Sequence, residues 1–212
     1  GAEATAWEEF FCTIVNERDV STMFHFVAHA MVDAYPDEKG FLFVNDGGGG
    51  KSTFFEAVEG ALGGENVSNE TIRALSSTSD QYAEAELYGK RVNFSPEIPD
   101  EKQSRLEMFK RLTGGDRISA RFPYEGKFKF RNHATVGMAS NHIPEIGEDK
   151  DAIWRRLVLI TFPHNFESGE MADKRRSKDE IMDELLCDDA LAGLFARCVR
   201  HTMQATEDDG EW

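Results

Sequence analysis

The stretch Phe41-Leu-Phe-Val-Asn-Asp-Gly-Gly-Gly-Gly-Lys-Ser-Thr53 joins three local signals in one place. Phe41 to Val44 is a short apolar run, the pattern of a strand buried on both faces. Gly47, Gly48, Gly49 and Gly50 follow, then Lys51, Ser52 and Thr53. Phe54 to Leu62 reads as a helix closed by Gly63-Gly64. A strand, a glycine loop, Lys-Ser and a helix form a phosphate-binding loop in its proper context. Glycines let the backbone fold tightly, so that N–H groups converge on phosphate oxygens. The helix N-terminus adds favourable positive potential. Lys51 is placed to reach the β- and γ-phosphates, and the Ser52 hydroxyl to hold Mg²⁺. The full pattern begins with glycine, and this chain has Asn45 there. Asn tolerates a left-handed backbone, so Asn45 reads as a permitted substitute.

Working outward, the upstream segment is helical. Trp7, Phe10, Phe11, Ile14 and Val15 fall on one helical face. A second helix is expected over about Val20 to Ala34, and the two form a helical collar ahead of the first strand. Downstream, Glu65 to Asp80 is polar, with a loop at Ser76 to Ser79, and Gln81 to Leu87 reads as a short helix. Arg91 to Phe94 reads as a second strand, stopped by Pro96-Glu-Ile-Pro99. Glu101 to Leu112 is a helix closed by Gly114-Gly115. Ile118 to Phe122 and Lys127 to Arg131 form a hairpin with its turn at Pro123 to Gly126. Thr135 to Ser140 is a strand ending at Asn141, Asp151 to Arg156 a short helical turn, and Leu157 to Phe162 the last clear strand. The segment from Pro163 onward carries 13 acids against 6 Lys and Arg and then turns helical. The expected organisation is a helical segment over 1–38, an α/β core over 39–163 and a helical segment over 164–212.

Composition narrows the partners. The 212 residues carry a net charge of −15, which excludes a broad basic face for duplex DNA. Any nucleic-acid site must be a local basic patch. The hairpin supplies one, with Arg121, Lys127, Lys129 and Arg131 against Glu125 alone. In Lys127-Phe-Lys-Phe-Arg131 the alternation puts three cations on one face and two phenylalanines on the other. Tyr124 at the turn is placed to stack on a base. The three cysteines, Cys12, Cys187 and Cys198, form no C-x-x-C and read as buried thiols of a cytosolic protein. No apolar run approaches the ~18 residues of a membrane span. The chain opens on Gly1, which fits a piece of a longer protein. Glu97, just past a strand, is suited to polarising a water or holding Mg²⁺ through water, and Asn141 to orienting an attacking water.

Taken in order, these motifs resemble the superfamily 3 helicases, nearest to the phage, plasmid and poxvirus-type primase-helicases. The series is the Lys51-Ser-Thr53 loop, Leu87-x-Gly89-x-Arg91 leading to Glu97, and Lys110-Arg-Leu-Thr-Gly-Gly-Asp116 with Ala120-Arg121. Asn141-x-x-Pro144 and Trp154-Arg-Arg-Leu157 ahead of Phe162 complete it. The resemblance runs from about Phe41 to Phe162. It implies an AAA+ P-loop core with a parallel sheet, binding ATP and Mg²⁺ and assembled as a hexameric ring around single-stranded DNA. It further implies a primase or polymerase domain in the full-length protein, and a phage-, plasmid- or virus-encoded origin with action in the host cytoplasm. By position, Lys51 and Ser52 are the loop pair, Glu97 the acid of the second motif and Asn141 the polar sensor. Arg156, or else Arg155, is the finger that completes a neighbour's site. Lys110 and the hairpin strand with Lys127, Lys129 and Arg131 lie where the family contacts its strand. The chain departs from the pattern at Asn45, at Gly49 where this branch often has Asn, and at Glu97, which lacks an adjacent acid. Two other classes fit the loop alone: a P-loop kinase acting on a small acceptor, and a nucleotide-binding assembly module without turnover.

Overall fold

The computed structural model describes residues 5–32, 37–77, 82–95, 104–143 and 150–207. Its centre is a five-stranded sheet made of β1 (Gly40–Val44), β2 (Val67–Ser68), β3 (Val92–Ser95), β6 (Thr135–Ser140) and β7 (Leu157–Thr161). The order is β2-β3-β6-β1-β7, and every pairing is parallel. β1 is therefore an inner strand, with Phe41 opposite Gly137 on one side and Val158 on the other. All five of its residues are buried, as its unbroken apolar run requires. The expected α/β fold with a parallel sheet holds.

Alternation along β1 builds two cores. Phe41 and Phe43 point into one, Leu42 and Val44 into the other. The first is covered by α1 (Thr5–Ile14), α2 (Glu17–Met31), α3 (Lys51–Leu62), α7 (Lys178–Leu185) and α8 (Asp188–Glu207). Phe26 of α2 sits at its hub, with ring centroids 5.0 Å from Phe41 and 5.1 Å from Phe43. Trp7 of α1 donates its indole N–H to Leu185 O at 3.0 Å, tying the first helix to the seventh. The divisions expected near 38 and 163 thus run through one shared core. Gly137 lies under this layer because a Cβ there would stand 3.1 Å from the Phe94 ring and 3.3 Å from Phe26.

The second core holds α4 (Ile72–Leu75), a 3-10 turn over Ala83–Leu87, α5 (Ser104–Thr113) and the separate antiparallel pair β4 (Arg117–Arg121) and β5 (Lys127–Arg131). A short α6 (Lys150–Trp154) leads into β7.

Several boundaries differ from expectation. The polar stretch 65–77 contains β2 and α4. A two-residue strand has no period to read, and it exists because Val67 pairs with Val92. α4 is started by Thr71, whose hydroxyl accepts from Ala74 N at 3.0 Å. The helix expected over Gln81–Leu87 is a 3-10 turn, and α2 starts earlier, at Glu17. Of the cysteines only Cys198 is buried. Cys12 is exposed on the outer side of α1, and Cys187 is exposed in the bend between α7 and α8.

Candidate nucleotide site and basic hairpin

The glycine loop lies at the C-terminal ends of β1 and β6, where ligands of parallel α/β sheets bind. Gly47, Gly48 and Gly50 have φ of 125°, 64° and 91°, so the loop's path needs glycine at those positions. It borders a cavity of about 900 Å³ whose wall includes Gly47 to Thr53 and Asn141. Lys51, Ser52, Thr53 and Asn141 are thus brought to one space. Lys51 Nζ donates to the carbonyls of Asn45 and Ser140, each at 2.7 Å. Burial pushes the Lys51 ammonium down from the ordinary lysine range, and the Asp46 carboxylate opposes this.

Asn45 does not act as expected. Among the described residues the non-glycine positions with positive φ are Glu38 and Tyr124, so Asn45 is no left-handed glycine substitute. Its side chain is instead buried and fully used. Asn45 Oδ1 accepts from Gly47 N at 2.7 Å and Gly49 N at 3.1 Å. Its Nδ2 donates to Phe162 O at 2.8 Å and His164 O at 3.1 Å. The loop is thereby stapled to the chain leaving β7. A Cβ on Gly49 would stand 2.6 Å from Asn45 Cγ, so the two departures from the family pattern are one packing solution.

The remaining expected site residues divide. Glu97 and Pro144 lie outside the described residues. Arg155 and Arg156 precede β7, at the end of the sheet opposite the glycine loop, since Leu157 pairs with Gly40 at the start of β1. Arg156 Nη2 donates to Glu38 Oε2 at 2.7 Å, and Arg155 is exposed. Neither is among the residues that line the cavity. Lys110 on α5 is half-buried and pairs with Glu107 at 3.4 Å. Among the described residues no group of three or more His, Cys, Asp and Glu is placed to hold a metal ion.

In the hairpin, Phe128 and Phe130 face inward, and Tyr88 lies edge-on to both at 5.2 and 5.5 Å. The outer face sets Arg117 opposite Arg131, and Arg121 opposite Lys127, with Lys129 between them. Like charges directly opposite destabilise a strand pair, so this face is arranged at a cost to the fold. Tyr124 at the tip is fully exposed with φ 66°.

Two contributors to the cavity went unread in the sequence. One is α1, through Glu9, Phe10, Thr13 and Ile14. The aromatic stripe of that helix signals core, and nothing in it marks a cavity wall. The other is Lys174-Arg-Arg-Ser-Lys178, four cations in five residues within an acidic segment, which was a legible signal.

A family model described as Family of unknown function (DUF5906) matches residues 43–156. The chain belongs to DUF5906. This DUF5906 chain is 28% identical over 159 residues to "Putative helicase L207/L206" of Acanthamoeba polyphaga mimivirus, spanning 68% of this chain and 16% of that protein. It is 34% identical over 87 residues to Primase D5 of fowlpox virus (strain NVSL), spanning 39% of this chain and 11% of that protein. The chain therefore spans a small part of the relatives it matches. The resemblance to viral helicases and primase-helicases read from the motifs is borne out by these relatives. Two solved structures share the fold of this DUF5906 chain. The apo C-terminal region of NrS-1 matches with a TM-score of 0.68 at 18% identity, covering 91% of this chain and 45% of that one. JCV helicase matches with a TM-score of 0.58 at 12% identity, covering 99% and 60%.

Proposed function

We propose that this chain is the ATP-driven motor domain of a replicative DNA helicase encoded by a phage, plasmid or virus and acting inside the host cell. The observation that carries the reading is the cavity at the ends of β1 and β6, which gathers the glycine loop, Lys51 and Asn141. Its residues fit a nucleoside triphosphate with Mg²⁺: backbone N–H groups at the start of α3, one ammonium and the Ser52 hydroxyl. Bound there, ATP would supply the phosphoanhydride whose hydrolysis drives movement. Lys51 would leave its two carbonyl partners for the phosphates. Glu97, following β3, is the acid for the attacking water, and Asn141 its orienting group. Arg156 points away from its own cavity, which suits a finger serving a neighbour in a hexameric ring. The five-cation face of the hairpin, with Lys110 on the helix before it and Tyr124 at its tip, is the proposed grip on single-stranded DNA. A primase or polymerase domain would lie elsewhere in the full-length protein.

The test is ATP hydrolysis with and without single-stranded DNA, on the wild type and on Lys127→Ala/Lys129→Ala. Turnover stimulated by DNA, with the stimulation lost in the variant, supports the motor. Turnover indifferent to DNA in both refutes it in favour of a kinase-type enzyme. Nucleotide binding with no turnover refutes it in favour of an assembly module.

A further inference from the structure

The wall of the cavity beside the glycine loop includes a strap that joins the 3-10 turn Gly169–Lys174 to α7. Its position is set by its own contacts. Ser177 caps α7 through a reciprocal box with Glu180. Arg176 pairs with Glu184 at 2.5 Å, and Lys178 pairs with Glu56 on α3, the helix that the glycine loop opens. Two strap cations are thus spent on holding it against α3 and α7. The other two, Lys174 and Arg175, are exposed, and neither side chain makes a hydrogen bond or ion pair with a described residue. Glu9, Glu167 and Glu184 also line the cavity, the last already matched by Arg176. The wall thus sets three cations without a carboxylate partner, Lys51, Lys174 and Arg175, against two such acids, Glu9 and Glu167, a small positive excess in a chain of net charge −15.

Lys51, the one cation of the loop itself, and a Mg²⁺ ion together still leave a triphosphate with excess negative charge. We infer that Lys174 and Arg175 bind the phosphate chain of the nucleotide held by the same subunit, so that the C-terminal segment reads the triphosphate directly. This rests on the nucleotide site proposed above and adds a phosphate-binding subsite from outside the loop. Arg175 brings a planar fork suited to two phosphate oxygens, and Lys174 a compact charge. Such contacts act on phosphate and not on the base. Their loss therefore falls on ATP far more than on AMP.

The experiment is equilibrium binding of ATP and AMP, with Mg²⁺, to the wild type, Lys51→Ala, Lys174→Ala/Arg175→Ala and Arg175→Lys. The double variant is expected to weaken ATP by about 10- to 100-fold, the scale of charge-assisted hydrogen bonds. AMP should be little changed, and Arg175→Lys should keep part of the ATP affinity. Both residues are exposed and unpaired, so the melting temperature should not move. ATP affinity equal to wild type in the double variant, with Lys51→Ala weakened, overturns the inference and leaves the nucleotide site standing. Equal loss of ATP and AMP also overturns it. A wild type that binds no nucleotide overturns both.

Discussion

Replacing Gly49 by Ala should be costly only while Asn45 is present. Gly49 does not have positive φ, so its backbone accepts an L side chain without strain. The obstacle is the Asn45 amide, with Cγ 2.6 Å and Oδ1 2.8 Å from the new Cβ. Asn45 cannot yield freely, because four hydrogen bonds of 2.7 to 3.1 Å hold it. Each contributes about 0.5–1.5 kcal/mol net, and displacing the amide disturbs all four, so Gly49→Ala should cost about 2–4 kcal/mol. Asn45→Gly loses the same bonds and should cost about as much, including roughly 0.5–1 kcal/mol for added chain freedom. In Asn45→Gly/Gly49→Ala the clash is gone, and the alanine should be neutral or stabilise by about 0.4–1 kcal/mol. The two changes then couple by about 2 kcal/mol or more. Thermal and urea unfolding, followed by fluorescence of the buried Trp7, would measure the cycle, with roughly 2–4 °C of melting temperature per kcal/mol. Strict additivity, within about 0.5 kcal/mol, would refute the stapled loop.

Acid should loosen the contacts of α2 in two stages, first with α8 and then with Asp37 ahead of β1. His201 on α8 lies 3.0 Å from His25, and burial, His25 and Arg197 hold its pKa below the ordinary histidine value. Its contribution is present above about pH 6.5 and is lost as the pH falls below that, where the unfolded chain binds the extra proton. Burial would raise the Asp37 carboxyl, but hydrogen bonds from His25 and His29 outweigh this and hold it well below the carboxylate range. A second loss therefore sets in below about pH 4. Unfolding free energy measured from pH 8 to 3 should show both, and His201→Ala should remove the first. A neutral thiol reagent should modify exposed Cys187 first. Cys12 should follow more slowly, its thiol raised by burial and by Glu8 and Glu17. Cys198, pushed up to about 12 by burial, should react only on unfolding; mass spectrometry of the labelled sites would show the order. Arg156→Ala should lower ATP turnover by about 10³–10⁵-fold while leaving nucleotide affinity intact. A fully active monomer would defeat the assignment of that finger to a neighbour. Affinity for single-stranded DNA should fall steeply with salt, and each hairpin cation removed should flatten the dependence of log affinity on log salt by about 0.7.

By itself, the sequence determined the parts whose signals are local. Phe41 to Val44 reads as a buried strand because four adjacent apolar residues leave no solvent face, and the glycines before Lys51 announce a loop of unusual backbone. Lys127 to Arg131 reads as a two-faced strand because its period is two, and the structure keeps that division of cations and phenylalanines. The tertiary structure alone decided what depends on residues far apart in the chain. Strand order put β6 and β7 on either side of β1, carrying Asn141 to the loop and Arg156 to the opposite end. Asn45 looked like a glycine substitute because only its own backbone can be judged locally. Its partners at Phe162 and His164 stand 117 and 119 residues away, and its role follows from them. The strap at Lys174 to Lys178 was visible as charge, but not as a cavity wall. Periodicity and turn chemistry act between neighbours in the chain, whereas a site is made by packing that brings distant segments within hydrogen-bonding reach.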